Sequence, residues 1–285
     1  MITVTGASGH LGRLVIADLL DRGIPADQIV AAVRDPGKVS DLAGRGVVVR
    51  AADYTEPESL GAALAGTDKL LLISSNLLGQ RLPQHTNVVH AAVAEGVSLI
   101  AYTSIPYADT TSVALAPEHK ATEAVIRASG LPFVFLRNSW YVETYTEHLD
   151  TAFQFGAILG AAGEGRVSAA PRADYAAAAA AVLAGEGPVD AVYELGGDHA
   201  FTLAELAAEV SRQSGIEIVY RDLPEEEYVQ ALLGAGLPEG YARALAGSDA
   251  GLAKGGLFVG SGHLRELIGR PTTPLAESVA AALKD

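Results

Sequence analysis

Residues 2–15, "ITVTGASGHLGRLV", constrain the fold of this chain more than any other stretch. A short β-prone run meets Gly6, Gly9 and Gly12, and a helix-like pattern follows, with apolar residues at Leu11, Leu14, Val15, Leu19 and Leu20. The spacing G-x-x-G-x-x-G at a strand-to-helix turn is a variant of the dinucleotide-binding fingerprint. Each glycine has a mechanical reason to be there. Gly6 permits the tight turn, Gly9 lets a pyrophosphate approach the backbone, and Gly12 lets the helix pack closely on the strand. Ser8, His10 and Leu11 belong to the same turn, where a helix start offers N–H groups and a positive dipole end to phosphates. A ligand-free glycine turn is the competing reading, and the strand before and helix after favour a cofactor.

The first half of the chain repeats this alternation. β-rich runs fall at 28–34, 47–52, 69–74, 98–104 and 133–138, separated by helix-like stretches. They are near-continuously hydrophobic, as in a parallel sheet covered on both faces. The expected fold is α/β, a Rossmann-like doubly wound parallel sheet. After about residue 150 the rhythm changes. Residues 172–187, with six consecutive alanines, predict a tightly packed helix. A strand is expected at 191–197, then a helix at 202–215 opened by a capping box between Thr202 and Glu205. Residues 216–223 read as a strand and 224–236 as a helix, whereas the glycine-rich 160–167 leads into no helix and reads as a loop. The expected division is a dinucleotide-binding domain over 1–152, to which 171–198 returns, and a smaller helix-rich substrate domain made mostly of 153–285.

Composition narrows the function. Of 285 residues, 49% are apolar and 19% charged, enough for a large buried core. The formal charge of −14 and the lack of any basic run argue against phosphate-tracking nucleic-acid binding. The absence of cysteine excludes disulfides, thiolate metal sites, iron–sulfur clusters and a cysteine nucleophile. No stretch reaches about 18 uninterrupted apolar residues, so no membrane span is expected. The opening residues lack the charged head and apolar run of a secretory signal. The expectation is a soluble, cytoplasmic protein; a homodimer is compatible with the sequence, which fixes no oligomeric state. His119 and Glu123, four residues apart, have metal-ligand spacing, but without a third ligand they read as an exposed pair and no metal site is expected.

The ends of the second and third strands bear on cofactor choice. An NAD site usually ends the second strand with a carboxylate for the ribose 2′-OH. Here the stretch is "AAVRDPGKV", with Arg34 at that place and Lys38 four residues on. A guanidinium binds a 2′-phosphate through charge-assisted bonds, so NADPH is favoured over NADH. Asp35 could still reach a ribose hydroxyl, and a solvated Arg–Asp pair is the bland alternative. In "AADYTEP", Thr55 before Glu56 and Pro57 reads as the helix start, which leaves Asp53, beside Tyr54, free to face an adenine, with a solvated turn residue as the competing reading.

In an open α/β sheet the ligand sits beyond the carboxyl ends of the strands. The sequence places Ser74, Ser75 and Asn76 there, then Thr103 and Ser104, then Asn138 onward. Phe133, Phe135, Trp140, Tyr141, Tyr145, Phe153 and Phe155 concentrate seven of the chain's 17 aromatic residues in one stretch. The first two belong to a core strand, while Trp140 and Tyr141 follow its end, where a flat substrate could stack. Plain hydrophobic packing competes with that reading. Lys120 could touch a nicotinamide ribose or sit on an exposed helix start.

None of the ten tyrosines has lysine four residues later, and the position four before Lys120 is Ala116. The Tyr-x-x-x-Lys pair that relays the proton in short-chain dehydrogenases is therefore missing. The segments "ITVTGASGHLG", "VRDPGKV", "ADY", "KLLLISS", "AYTSI", "LRNSWYVETY", "RADYAAAA", "YELGGD" and "KGGLF" together resemble the NmrA-like branch of the atypical short-chain dehydrogenases, which characteristically lacks that pair. The likeness runs nearly the whole chain. It implies a Rossmann domain with a small C-terminal domain, NADPH as cofactor, and flavin-independent reduction of quinones by direct hydride transfer. By the same resemblance Ser104 stands at the catalytic-serine position, with a strand-end hydroxyl bonded to backbone as the competing reading, and Lys254, Gly255, Gly256 and Phe258 close the pocket. A hydroquinone anion is a stable product that can collect its proton from water, so positioning is most of the catalysis. The branch also includes NADP(H)-binding redox sensors that act through a protein partner without turnover, and that alternative stays open.

Overall fold

Only glycine allows the first helix to lie as close to the first strand as it does. In the computed structural model, which describes residues 1–185 and 188–284, β1 (Ile2–Thr5) turns through Gly6 at φ +61° into α1 (His10–Asp21). A Cβ on Gly12 would lie 2.6 Å from the Gly6 carbonyl oxygen and 2.7 Å from the Ala7 Cα, both backbone atoms that cannot swing aside. The alternation then continues as expected through β2 (Ile29–Val33), α2 (Ser40–Gly44), β3 (Val48–Ala51), α3 (Pro57–Leu64), β4 (Lys69–Leu72), α4 (Arg81–Ala94), β5 (Leu99–Ser104), α5 (Ala116–Ala128) and β6 (Phe133–Asn138).

These strands, joined later by β8 (Ala191–Leu195), form one seven-stranded sheet in the order β3-β2-β1-β4-β5-β6-β8. Register is parallel from β3 through β6, for example Val4 opposite both Ala31 and Leu71. Every residue of β2 and of β5 is buried, which is why the sequence shows no polar alternation there. The alanine run forms α8 (Arg172–Ala184), which packs along α1, and its small side chains permit the close approach. The helix stops at Ala184, short of the predicted end at 187; Glu186 and Gly187 lie outside the described residues. Residues 1–104, 118–137 and 172–193 form one compact unit, which includes the alanine helix.

The second unit comprises residues 105–117, 138–171 and 194–285, of which Asp285 is outside the described residues. It holds α6 (Glu143–Thr146), α7 (Leu149–Phe155), β7 (Ala157–Gly160), α9 (Leu203–Ser214), β9 (Val219–Asp222), α10 (Glu225–Gly234), α11 (Glu239–Ala253), α12 (His263–Ile268) and α13 (Leu275–Ala282). Its core gathers Val142, Leu149, Leu203, Leu206, Val210, Ile218, Leu252 and Leu257. The predicted capping box is present: the Thr202 hydroxyl accepts the Glu205 N–H at 3.1 Å, and the Thr202 N–H donates to Glu205 Oε2 at 2.9 Å.

Two elements of this unit are not evident from the sequence. β7 has only four residues, and it pairs in parallel with β9 in a separate two-stranded sheet. α11 contains Gly240, Gly247 and Gly251, which local propensity disfavours in a helix. Packing overrides propensity here: a Cβ on Gly251 would lie 2.7 Å from the Val113 Cα, so glycine lets the helix lie against that segment. Among the described residues no helix is long and apolar enough to cross a membrane.

Asp249 of α11 is buried, with one carboxylate oxygen accepting the Ala161 N–H at 3.0 Å. Desolvation first, and the Asp222 charge second, push its pKa up to about 6, against the pull of that hydrogen bond. The folded protein therefore binds a proton that the unfolded chain releases, and this group costs stability as pH rises from about 4 through about 6. Asp249→Asn keeps the acceptor and cannot ionise. Its unfolding free energy should match the parent near pH 4 and exceed it by up to about 3 kcal/mol at pH 8. Denaturant melts at the two pH values measure the difference.

Candidate active site

The strand order reverses between β1 and β4, and a cleft of about 400 Å³ opens at the carboxyl ends of the strands there. Its walls include Gly6, Ser8, Gly9, Arg34, Asp53, Tyr54, Ser74, Ser75 and Asn76, all expected from the sequence. Ile73, Leu77 and Gln84 also line it. On the α1 side, Gly9 N–H bonds back to the Gly6 carbonyl, and the first helical bond is Arg13 N–H to the Gly9 carbonyl, both at 3.0 Å. The N–H groups of His10, Leu11 and Gly12 thus stand at the helix start, outside the helical bonding pattern, where an anion can take them.

Arg34 and Asp35 are placed differently at the charged rim. Asp35 caps the short 3₁₀ turn Pro36–Val39 by accepting the Gly37 N–H at 3.0 Å, and it does not line the cleft. Arg34 does line it and makes no salt bridge among the described residues. Lys38 is exposed and is not part of the wall; its carbonyl is gripped by Arg13, which also pairs with Asp41 at 2.8 Å. Arg13 was not anticipated, since nothing in its spacing marks it.

Asp53 is less free than expected. One of its carboxylate oxygens accepts both the N–H and the hydroxyl of Thr55, at 2.8 and 2.7 Å, and these bonds hold its pKa down. Thr55 is therefore not the helix cap: α3 starts at Pro57 after Glu56, with no side-chain cap. The Tyr54 hydroxyl donates to the Ile73 carbonyl and shares a second hydrogen bond with the Thr5 hydroxyl, bracing the ends of β1 and β4, and burial raises its pKa. Thr103 is buried and accepts the Ser74 N–H at 2.9 Å, so it shapes the wall from behind.

Beneath β5 lies an ionic cluster that the sequence did not announce. Glu123 is fully buried; it takes Arg137 Nη2 at 2.6 Å and Nε at 2.9 Å, and Arg127 at 3.2 Å. The Ser104 hydroxyl donates to the same carboxylate at 2.6 Å. His119 is also buried, between Tyr102 and Arg81, with its pKa lowered by burial. The expected exposed His119–Glu123 pair is thus corrected: both face inward, and each has partners other than the other. Lys120, by contrast, is exposed on α5 and is not part of the cleft wall. Among the described residues no three His, Asp or Glu are grouped to hold a metal ion.

In the second unit Asn138 closes β6. Its amide donates to the Tyr141 hydroxyl at 3.4 Å, while its carbonyl oxygen is buried without a partner among the described residues. Trp140, Tyr145 and Phe153 pack against the core of that unit. The aromatic concentration therefore does not form one wall. Phe133 and Phe135 stack at 4.3 Å in the sheet unit, beneath Arg127, and Phe155 is 63% exposed. The "KGGLF" turn lies on the 111–113 segment, where a Cβ on Gly256 would come 2.6 Å from Thr111 Oγ1.

This fold and cleft define a nicotinamide-dinucleotide-binding α/β protein. The NAD(P)H-binding family profile matches residues 6–186, and the chain belongs to the NmrA-like NAD(P)H-binding family. It is 51% identical over 280 residues, 98% of each chain, to quinone oxidoreductase 2 of Escherichia coli. The crystal structure of the NADPH-dependent quinone oxidoreductase of that organism complexed with NADPH matches with a TM-score of 0.96, covering 99% of this chain and 100% of that one at 51% identity. Triphenylmethane reductase of Citrobacter sp. complexed with NADP(H) matches with a TM-score of 0.94 at 42% identity, covering 99% of this chain and 100% of that one.

Removing the buried carboxylate should be costly. Glu123→Ala strands Arg137 in the interior and should lower stability by about 3–5 kcal/mol. Denaturant unfolding should show this as a lower midpoint with an unchanged slope.

Proposed function

We propose that this chain is an NADPH-dependent quinone reductase that works without a flavin. The observation that carries the reading is the near-full-length match, 51% identity across 98% of both chains, to a quinone oxidoreductase. The cleft supports it. The glycine turn and the start of α1 suit a pyrophosphate, and an Arg34 that lines the cleft without a salt bridge among the described residues suits a 2′-phosphate. When bound, NADPH supplies a hydride to the quinone ring. The protein's part is to hold and orient: Gly6, Ser8, Gly9, His10, Leu11 and Gly12 on the phosphates, Arg34 on the ribose side, Asp53 on the adenine side, and Ser74 to Asn76 along the wall. Asn138, Trp140 and Tyr141, at and just past the end of β6, are assigned to the substrate, and the Asn138 amide oxygen, buried without a partner among the described residues, is the acceptor available there once that segment opens to a ligand. The lack of cysteine and of a membrane-crossing helix among the described residues fits a cytoplasmic setting.

Purified protein with a panel of simple quinones and no added flavin should oxidise NADPH only when quinone is present. A requirement for bound flavin would overturn the proposed mechanism, and NADPH binding without turnover would point to a sensor. Arg34→Ala should weaken NADPH binding roughly ten- to a hundredfold and leave NADH nearly unchanged, the loss of one charge-assisted contact. Titration of both cofactors decides it, and equal affinities in the parent would remove Arg34 from the role.

A further inference from the structure

One wall of the cleft is shaped from beneath. After β4 the chain runs along the cleft through Ser74, Ser75, Asn76 and Leu77 before α4 begins at Arg81. Such a turn has no ladder partners, so its backbone groups must find bonds elsewhere. They find them in buried side chains. Ser75 N–H donates to His85 Nε2 at 2.9 Å, and the Ser75 carbonyl accepts from Arg81 Nε at 2.6 Å. Both main-chain groups of one wall residue are held by side chains from the start of α4.

The bond to His85 has a direction, and the direction fixes the chemistry of the ring. Because Ser75 N–H donates, Nε2 must present its lone pair, and the single proton of the neutral ring sits on Nδ1. Nδ1–H then donates to Thr122 Oγ1 at 2.9 Å, and the Thr122 hydroxyl donates onward to the Glu118 carbonyl at 2.9 Å. The chain of donors closes without conflict. His85 is fully buried, and burial together with the Arg81 charge pushes its pKa down to about 3. A protonated ring would turn a donor toward the Ser75 N–H, so neutrality is what the geometry requires. The ring does not line the cleft and can act only through the wall it holds.

We infer that His85 is a positioning residue for the dinucleotide: a neutral, Nδ1-protonated imidazole, oriented by Thr122, that sets the Ser74–Asn76 wall in the conformation the cofactor meets. The inference rests on reading the cleft as an NADPH site. It is tested by titrating NADPH directly into folded variants, which needs no quinone and no turnover. His85→Leu should weaken NADPH binding at least about tenfold, whereas His85→Gln, whose carbonyl can reach the Nε2 place, should stay within about threefold. Thr122→Val keeps the shape but removes the Nδ1 acceptor, and should weaken binding by an intermediate factor. In steady state the KM for NADPH should rise with that for quinone unchanged. The role is overturned if folded His85→Leu, or folded Thr122→Val should the former not fold, binds NADPH within twofold of the parent. Equal weakening by Leu and Gln would reveal mere packing and overturn it as well. Failure of the parent itself to bind NADPH would overturn the cofactor reading, and this inference with it.

Discussion

The contact between α1 and β1 is the constraint from which the cleft follows. Without a Cβ on Gly12 the helix start can rest on the Gly6 carbonyl and the Ala7 backbone. Its first N–H groups therefore open onto the end of the sheet instead of standing off from it. The neighbouring strand ends are then tied to that position. Tyr54 reaches from the end of β3 to Thr5 and to the Ile73 carbonyl, and Thr103 reaches from β5 to the Ser74 N–H. A cleft intended for a long, thin, charged ligand is thus built from backbone held at fixed height, with few side chains intruding.

The sheet unit spends buried polar groups freely behind that cleft. α5 turns His119, Thr122, Glu123 and Ile126 inward, at the spacing of a core-facing stripe. The Glu123–Arg137 pair is buried with its carboxylate also taking Ser104 and Arg127, the extra bonds that offset the cost of burying the charges. Such networks add little net stability over an apolar core, but they admit one geometry. Rigidity in the layer under the wall suits a protein whose chemistry asks mainly for correct placement.

The layout of the sheet was legible because its signals are local. A strand, a glycine turn and a helix follow each other within a dozen residues, and fully buried strands declare themselves as apolar runs. The cleft residues on those turns were legible for the same reason. What escaped was whatever depends on neighbours distant in sequence. "EHKATE" reads as a solvated helix start, yet the periodicity of 119, 122, 123 and 126 was the available clue that polar residues there face inward. Arg81 and His85 carry no motif, because their partners are backbone atoms of a turn. α11 drew no reading from the sequence, because Gly247 and Gly251 answer to the 111–114 segment rather than to helix propensity. The aromatic concentration between 133 and 155 divides as its pattern suggests, with Phe133 and Phe135 in the strand and Trp140, Tyr145 and Phe153 against the core of the second unit.

The bond from Ser104 to Glu123 has a consequence for what this scaffold can become. A hydroxyl owns one proton, and this one is already given to an interior carboxylate. The oxygen can still receive, but it has nothing to donate. Reduction of an ordinary ketone to an alcohol demands a donor at the carbonyl oxygen, whereas a quinone delocalises the charge it gains. Placing tyrosine at position 116 to restore a pair with Lys120 would therefore rebuild only part of an alcohol dehydrogenase. The other part lies locked in the foundations of the sheet, and releasing it would mean dismantling the ion pair that keeps Arg137 indoors.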